Sequence, residues 1–172
     1  MRRRAICVAG AFLFLGLGML GSSPVMVALD PSRAEAVDCE QVRGHLDELP
    51  LVPCASPVGL CTTAQMNGSI HGDAIFTAAT ITSSTDFPLT GVVFVTGDTA
   101  IEDAQVAGHR GRIAIKNAAA FRTTGGNDLV DVQTIIGGTG DFAGATGSLR
   151  ISGDFVPGIG GSSTYEGVVC FP

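Results

Sequence analysis

From Leu60 to the C terminus, the chain is a succession of short strand-type segments separated by turn residues. Val, Ile, Thr and Phe are concentrated in the segments, and Gly, Asn, Asp and Pro lie between them. Apolar residues do not recur there at the 3.6-residue spacing of a helix, so the pattern predicts an all-β fold. The predicted strands cover 61–66, 74–82, 91–96, 99–106, 111–123, 129–136, 145–152 and 164–171.

About eight antiparallel strands in a region of this length can close on themselves and leave no exposed sheet edge. We therefore predict an eight-stranded antiparallel β-barrel domain over residues 60–172, with a hairpin turn at Gly125-Gly126-Asn127-Asp128. A two-sheet sandwich is the alternative that the same pattern allows.

The segment 37–59 has a different pattern and predicts a short N-terminal helix followed by an extended lead-in. Asp38 and Gln41 are spaced as a capping box, and Val42, Leu46 and Leu49 recur at helical spacing. Prolines then end the predicted helix and keep the chain extended before the barrel.

The first 36 residues have the layout of a signal peptide. Three arginines precede an apolar run from Ala5 to Leu20, and Ala34-Glu35-Ala36 matches a cleavage site, which places the mature start at Val37. Cleavage after Ala28 and an uncleaved N-terminal anchor are the alternatives. We predict a secreted protein.

The mature part is acidic, with six basic residues against fourteen acidic ones. Nucleic acids and anionic membranes need clustered Lys and Arg, so neither is expected as a partner. No apolar run of 18 residues remains after residue 36, so no membrane span is expected in the mature protein.

Four cysteines remain after processing, and an even number in an exported chain predicts two disulfides. If the first and last predicted strands pair to close the barrel, Cys61 lies beside Cys170, which leaves Cys39 to pair with Cys54. Zinc is the competing interpretation, but the chain has no C-x-x-C pair and its histidines are scattered, so we expect no metal.

The stretch from Ile135 to Asp154 is rich in glycine but does not have the spacing of a nucleotide-binding loop. It leads into a predicted strand instead of a helix and lacks a terminal Gly-Lys-Ser/Thr, so no cofactor is expected. A steric role fits better, because glycine permits a sharp turn or bulge at a barrel rim. The turn glycines are Gly137, Gly138, Gly140, Gly144 and Gly147.

The run Ile136-Gly137-Gly138-Thr139-Gly140-Asp141-Phe142, followed by Ala143 to Gly147, resembles the signature of the allene oxide cyclase and dirigent superfamily. The resemblance implies an eight-stranded barrel with an apolar lumen, often trimeric, that holds a small hydrophobic molecule and steers its cyclisation or coupling. Dirigent proteins have an Arg-Glu pair before this motif, whereas this chain has Asp131-Val132-Gln133-Thr134. The turn glycines therefore carry over, and no catalytic residue does.

Asp131 is the strongest candidate for a catalytic residue. It shares a strand face with Leu129, Gln133 and Ile135, and if that face points into the lumen, burial raises the pKa of Asp131 and suits it to acid–base chemistry. The alternative is that Asp131 pairs with an arginine of the preceding strand.

Two further polar clusters have weaker claims. Asp98, Glu102 and Asp103 form either a cation site or an acidic loop on an acidic protein. His109, Arg110 and Arg112 form either an anion site or a solvated turn.

Three functions are compatible with these patterns. The barrel binds a small hydrophobic ligand, or it is an isomerase or cyclase that holds a reactive substrate in one conformation, or it is a structural module of the cell surface. The sequence leaves open whether the protein is an enzyme.

Overall fold

A computed structural model describes residues 38–123 and 128–172. They form a closed antiparallel barrel of eight strands in chain order, in which β8 pairs with β1. The strands are β1 (Asp38–Pro50), β2 (Cys61–Gly68), β3 (Ile70–Ser83), β4 (Val92–Val106), β5 (His109–Arg122), β6 (Asp128–Gly140), β7 (Thr146–Val156) and β8 (Gly160–Phe171). The prediction of an all-β, eight-stranded antiparallel barrel is confirmed.

Two of the sequence predictions fall outside the described residues: the signal peptide 1–36 and the turn at 125–127. The strands on either side of that turn, β5 and β6, are paired neighbours. The one helix of the described chain, α1 (Phe87–Thr90), lies between β3 and β4. Among the described residues no helix is long and apolar enough to cross a membrane.

Side chains alternate between the lumen and the outer surface along each strand. In β4, for example, Val93, Val95, Thr99 and Ile101 are buried while Phe94 between them is 48% exposed. This period of two follows from the strand geometry, in which successive Cβ atoms point to opposite faces. The inward residues of all eight strands share one lumen.

The predicted N-terminal helix is wrong, because residues 38–50 form β1 and the barrel begins at Asp38. Val42 and Leu46 are four residues apart, and this spacing puts them on one face of a strand as well as of a helix; both are buried in the lumen. Leu49, which completed the helical pattern, is 60% exposed. Tertiary pairing decides the outcome, since β1 hydrogen-bonds to both β2 and β8.

The predicted strand boundaries also need one correction in the middle of the chain. The segments 91–96 and 99–106 are halves of the single strand β4, which continues through Gly97 and Asp98. Gly97 lies under the ring of Phe76, where a Cβ would collide with the ring. The predicted total of eight agrees with the structure because this division compensates for the omission of β1.

The disulfides are Cys39–Cys170 and Cys54–Cys61, so the predicted pairing of Cys61 with Cys170 and of Cys39 with Cys54 is wrong. The reason is the missing first strand: β8 closes the barrel against β1, and Cys39 lies directly opposite Cys170 in that register. Cys54–Cys61 closes the short connection that leads into β2. Two disulfides are typical of proteins that fold in an oxidising compartment.

The glycine-rich segment forms the β6–β7 corner. A bulge interrupts the β5–β6 register beside Gly137, and Gly137, Gly140, Gly144 and Gly147 all have positive φ. The turn inserts Phe142 into the end of the barrel, where it is fully buried, with its ring centroid 5.8 Å from that of Phe171.

Candidate functional site in the barrel lumen

Two apolar clusters occupy the two ends of the lumen. The larger one fills the end that carries the β2–β3, β4–β5 and β6–β7 connections, and it contains Ile70, Ile113 and Phe142. We call this the packed end. The smaller cluster, which contains Phe121, Leu129 and Phe155, lies at the opposite end. We call that end the mouth.

A cavity lies between the mouth cluster and the packed end. Its volume is about 50 Å³. That space is about a third of the roughly 150 Å³ of a cavity that holds benzene. The lining is mainly apolar, and its polar members are Glu48, Thr62, Thr99, Asn117, Asp131 and Gln133.

Asp131 is an inward-facing residue of β6 and is only 7% exposed. Its Oδ2 accepts hydrogen bonds from Asn117 Nδ2 and from Gln133 Nε2, each of 2.8 Å. Burial raises the pKa of Asp131, and the two amide hydrogen bonds oppose that shift because they stabilise the carboxylate.

The arginine partner expected for Asp131 is absent from the described residues. Arg122 of β5 pairs with Asp128, and Arg112 of β5 pairs with Glu102 of β4, in both cases among partly exposed side chains. Asp131 is therefore held by two neutral amides, and no cationic side chain of the described residues compensates its charge when it is ionised.

Glu48 is the residue of this site that the sequence did not indicate. It was assigned to a helix, whereas β1 places it in the cavity lining three strands away from Asp131 around the barrel. Burial, with a further contribution from the negative charge of Asp131, raises the pKa of Glu48 to about 7. When the segment is read as a strand, Glu48 lies on the same face as Val42 and Leu46, because the three residues are separated by even numbers of positions. This pattern could have identified it.

Three lining atoms are buried without a hydrogen-bond partner in the protein: Thr99 Oγ1, Asn117 Oδ1 and Asp131 Oδ1. They belong to the neighbouring strands β4, β5 and β6, so they lie on one side of the lumen. Buried polar atoms are nearly always paired, and leaving one unpaired costs about 1–3 kcal/mol. The cavity thus presents unpaired polar atoms within an apolar wall.

In the acidic cluster, two of the three side chains pair with basic residues of β5. Asp98 pairs with Lys116 across β4 and β5, and Glu102 accepts a 2.6 Å hydrogen bond from Arg112. Asp103 has a φ of 50° and lies where the β4–β5 register shifts.

The residues of the basic cluster turn to separate partners. His109 stacks on Phe171 with ring centroids 3.8 Å apart, and the backbone N–H of Arg110 donates to Asp141 Oδ2 at 2.8 Å. Within the described chain no group of three His, Cys, Asp or Glu side chains is arranged to hold a metal ion.

Comparison of the chain with protein-family models, with curated proteins and with solved structures found no match. The closed barrel is compatible with the glycine-rich motif's resemblance to the allene oxide cyclase and dirigent superfamily. A barrel of this kind is shared by unrelated families, so function has to be argued from the lumen itself.

Proposed function

We propose that this protein is an exported barrel that binds a small molecule in its lumen. The observation that carries the proposal is the cavity lined by three unpaired polar atoms on the neighbouring strands β4, β5 and β6. Ligand sites in proteins are typically apolar concavities with a few placed polar groups. A ligand that hydrogen-bonds to these atoms would recover the free energy that their burial costs.

The architecture supports such a role. A closed barrel has no flexible sheet edge, and the Cys39–Cys170 disulfide ties the closing strands together. A rigid, preformed lumen reduces the ordering cost of binding.

The test is to incubate the purified mature protein with a lipid and metabolite extract and to identify what co-purifies by mass spectrometry. Ala119→Leu narrows the cavity, because Ala119 lines it; Ala118→Leu adds the same side chain on the exposed outer face of β5. We expect a compound to be retained by the native chain and by Ala118→Leu, and lost with Ala119→Leu. Equal retention by all three proteins, or no retained compound, would contradict lumenal binding.

The second candidate function is an isomerase or cyclase, in line with the family resemblance. It is favoured by two lumenal carboxyl groups of raised pKa, since a carboxyl group that titrates near 7 is suited to general acid–base catalysis. If the retained compound is turned over, Asp131→Asn and Glu48→Gln should slow the turnover by a larger factor than they weaken binding of the compound. Unchanged turnover in both variants would exclude this function for the two residues.

We also propose that the chain is exported by the signal peptide 1–36. The two disulfides support an oxidising destination. N-terminal sequencing of the exported protein should begin at Val37; a start at Met1 would contradict cleavage.

A homotrimer is the third element of the proposal, and its support is an exposed apolar row on the outer face of β6. The row consists of Val130, Val132 and Ile136, which are 43%, 55% and 56% exposed. Contact between copies, or the structural role at a cell surface, would cover this row. Analytical ultracentrifugation should show a trimer that Val132→Asp dissociates, and a native monomer would contradict it.

A further inference from the structure

We infer that the lumen selects a small amine, bound as its ammonium ion with an apolar body, over a carboxylic acid of the same shape. This inference rests on the proposed lumenal binding and adds the chemical class of the ligand. It follows from the charges and from the hydrogen-bonding capacity of the cavity wall.

The charges that line the cavity are all negative. Glu48 and Asp131 are the ionisable lining residues, and no Lys, Arg or His is among the described residues of the wall. A carboxylate entering the lumen would meet like charges in a medium that screens them weakly. An ammonium ion would compensate the charge that Asp131 carries there.

The hydrogen-bonding capacity of the cavity wall also favours an ammonium ion. The Nδ2 of Asn117 and the Nε2 of Gln133 both donate to Asp131 Oδ2, which turns Asn117 Oδ1 away from the carboxylate. Asn117 Oδ1 and Asp131 Oδ1 are then unpaired acceptors, while the Thr99 hydroxyl can donate or accept. An ammonium group has three donors and no acceptor, so it matches a wall that mainly accepts.

The remainder of the wall suits the apolar body of such a ligand. Leu46, Phe76 and Leu129 are among its members, and the volume of about 50 Å³ limits the body to a compact group. A long acyl chain exceeds this space.

Protonation of Glu48 also predicts that amine binding depends on pH. Because the pKa of Glu48 is about 7, part of this group is protonated at neutral pH, and a bound cation would drive that proton off. Asp131 is the other titratable group of the lining, and Tyr165 on β8 has its hydroxyl engaged with the backbone of Ile70. Amine affinity should therefore rise between about pH 5 and pH 8.

The experiment compares three probes of nearly equal shape that are small enough for a cavity of about 50 Å³: ethylammonium, ethanol and acetate. Calorimetry gives the affinities, and the backbone amide NMR shifts of the native protein show whether the lumen is the site. We expect ethylammonium to bind roughly tenfold tighter than ethanol, which corresponds to about 1.4 kcal/mol, and acetate to bind most weakly. Ala119→Leu should weaken all three.

Three variants identify the groups responsible. Asp131→Asn and Glu48→Gln should each reduce the preference for the amine over the alcohol, while Asp47→Asn, the exposed neighbour of Glu48 on β1, should leave it unchanged. The probe ranking and its pH dependence in the native protein test the inference without any variant.

The outcomes separate the two levels of the proposal. Equal affinity for amine and alcohol, or tighter binding of acetate, would overturn the inference on ligand class and leave lumenal binding standing. Shifts confined to the outer surface, or no binding of any probe, would overturn both.

Discussion

At the scale of single residues, the lumenal carboxyl groups make stability depend on pH. The folded-state pKa of Glu48 is about 7, above the ordinary value of 4.5. The folded chain therefore binds more protons than the unfolded chain between these values, and stability falls as pH rises through this window. We expect a loss of about 1–2 kcal/mol, less than the roughly 3 kcal/mol of an unscreened shift, because Glu48 is only partly buried.

Urea unfolding followed by circular dichroism between pH 4.5 and pH 7.5 measures this dependence. Glu48→Gln should flatten the curve relative to the native protein, and Asp47→Asn should not. If the unfolding free energy of the native protein and of Glu48→Gln changed equally between these pH values, Glu48 would not be buried as described.

Tyr165 is the second residue that carries a specific prediction. Its hydroxyl accepts from the backbone N–H of Ile70 at 2.8 Å and donates to the carbonyl of Ile70 at 3.2 Å, inside the packed end. Tyr165→Phe would remove both of these hydrogen bonds from buried backbone groups, so we expect a loss of about 1–3 kcal/mol of unfolding free energy in urea. Thr164→Val, which removes an exposed hydroxyl from the adjacent position, should change stability by less than about 0.5 kcal/mol.

At the scale of elements, close approach of strands explains a glycine that turn geometry does not. A Cβ on Gly138 would collide with the backbone oxygen of Arg112 and lie 2.9 Å from Phe142 Cβ. Gly138→Ala must push β6 away from β5, and we expect a loss of about 3 kcal/mol.

Gly108 in the β4–β5 turn is the matched control, because its φ of 94° disfavours alanine although nothing lies within 4 Å. Gly108→Ala should cost only about 1 kcal/mol. Thermal and urea melts of the two variants compare the effects. A larger loss for Gly108→Ala than for Gly138→Ala would show that backbone conformation limits substitution of these glycines more than the spacing between strands does.

Some strands of the barrel could be predicted from sequence patterns and others could not. β5 to β8 were predicted near their observed positions because a buried strand alternates with exposed residues and ends at turn residues. β1 was missed because Val42 and Leu46 fit either period. The wrong helix prediction also hid part of the site, since Glu48 faces the lumen only when this segment is a strand. Asp131 was identified because its strand, β6, was predicted.

At the scale of the whole molecule, the two disulfides should contribute unequally. Cys39 and Cys170 are separated by 131 positions, and Cys54 and Cys61 by 7. In the chain-entropy model the longer loop is worth about 5 kcal/mol and the shorter one about 2.5 kcal/mol. We expect Cys39→Ser with Cys170→Ser to be the more destabilising double variant in urea.

Peptide mapping without reduction checks the connectivity first. Peptides that join Cys54 to Cys61 and Cys39 to Cys170 are expected, and a peptide joining Cys61 to Cys170 would contradict the register of β1 on β8. Equal destabilisation by the two double variants would show that loop length does not determine how much each disulfide stabilises the barrel.

The sequence alone determined the class of the fold, because period-two burial and turn residues are local properties that a strand-forming chain carries in its own pattern. It also determined that the cysteines would be bridged and that Asp131 shares a strand face with apolar residues. Only the tertiary structure decided that residues 38–50 close the barrel, which cysteines meet and which carboxyl group joins Asp131. These outcomes depend on which distant strands pair, and the hydrogen bonds that select the partner of an edge strand exist only after the barrel has closed.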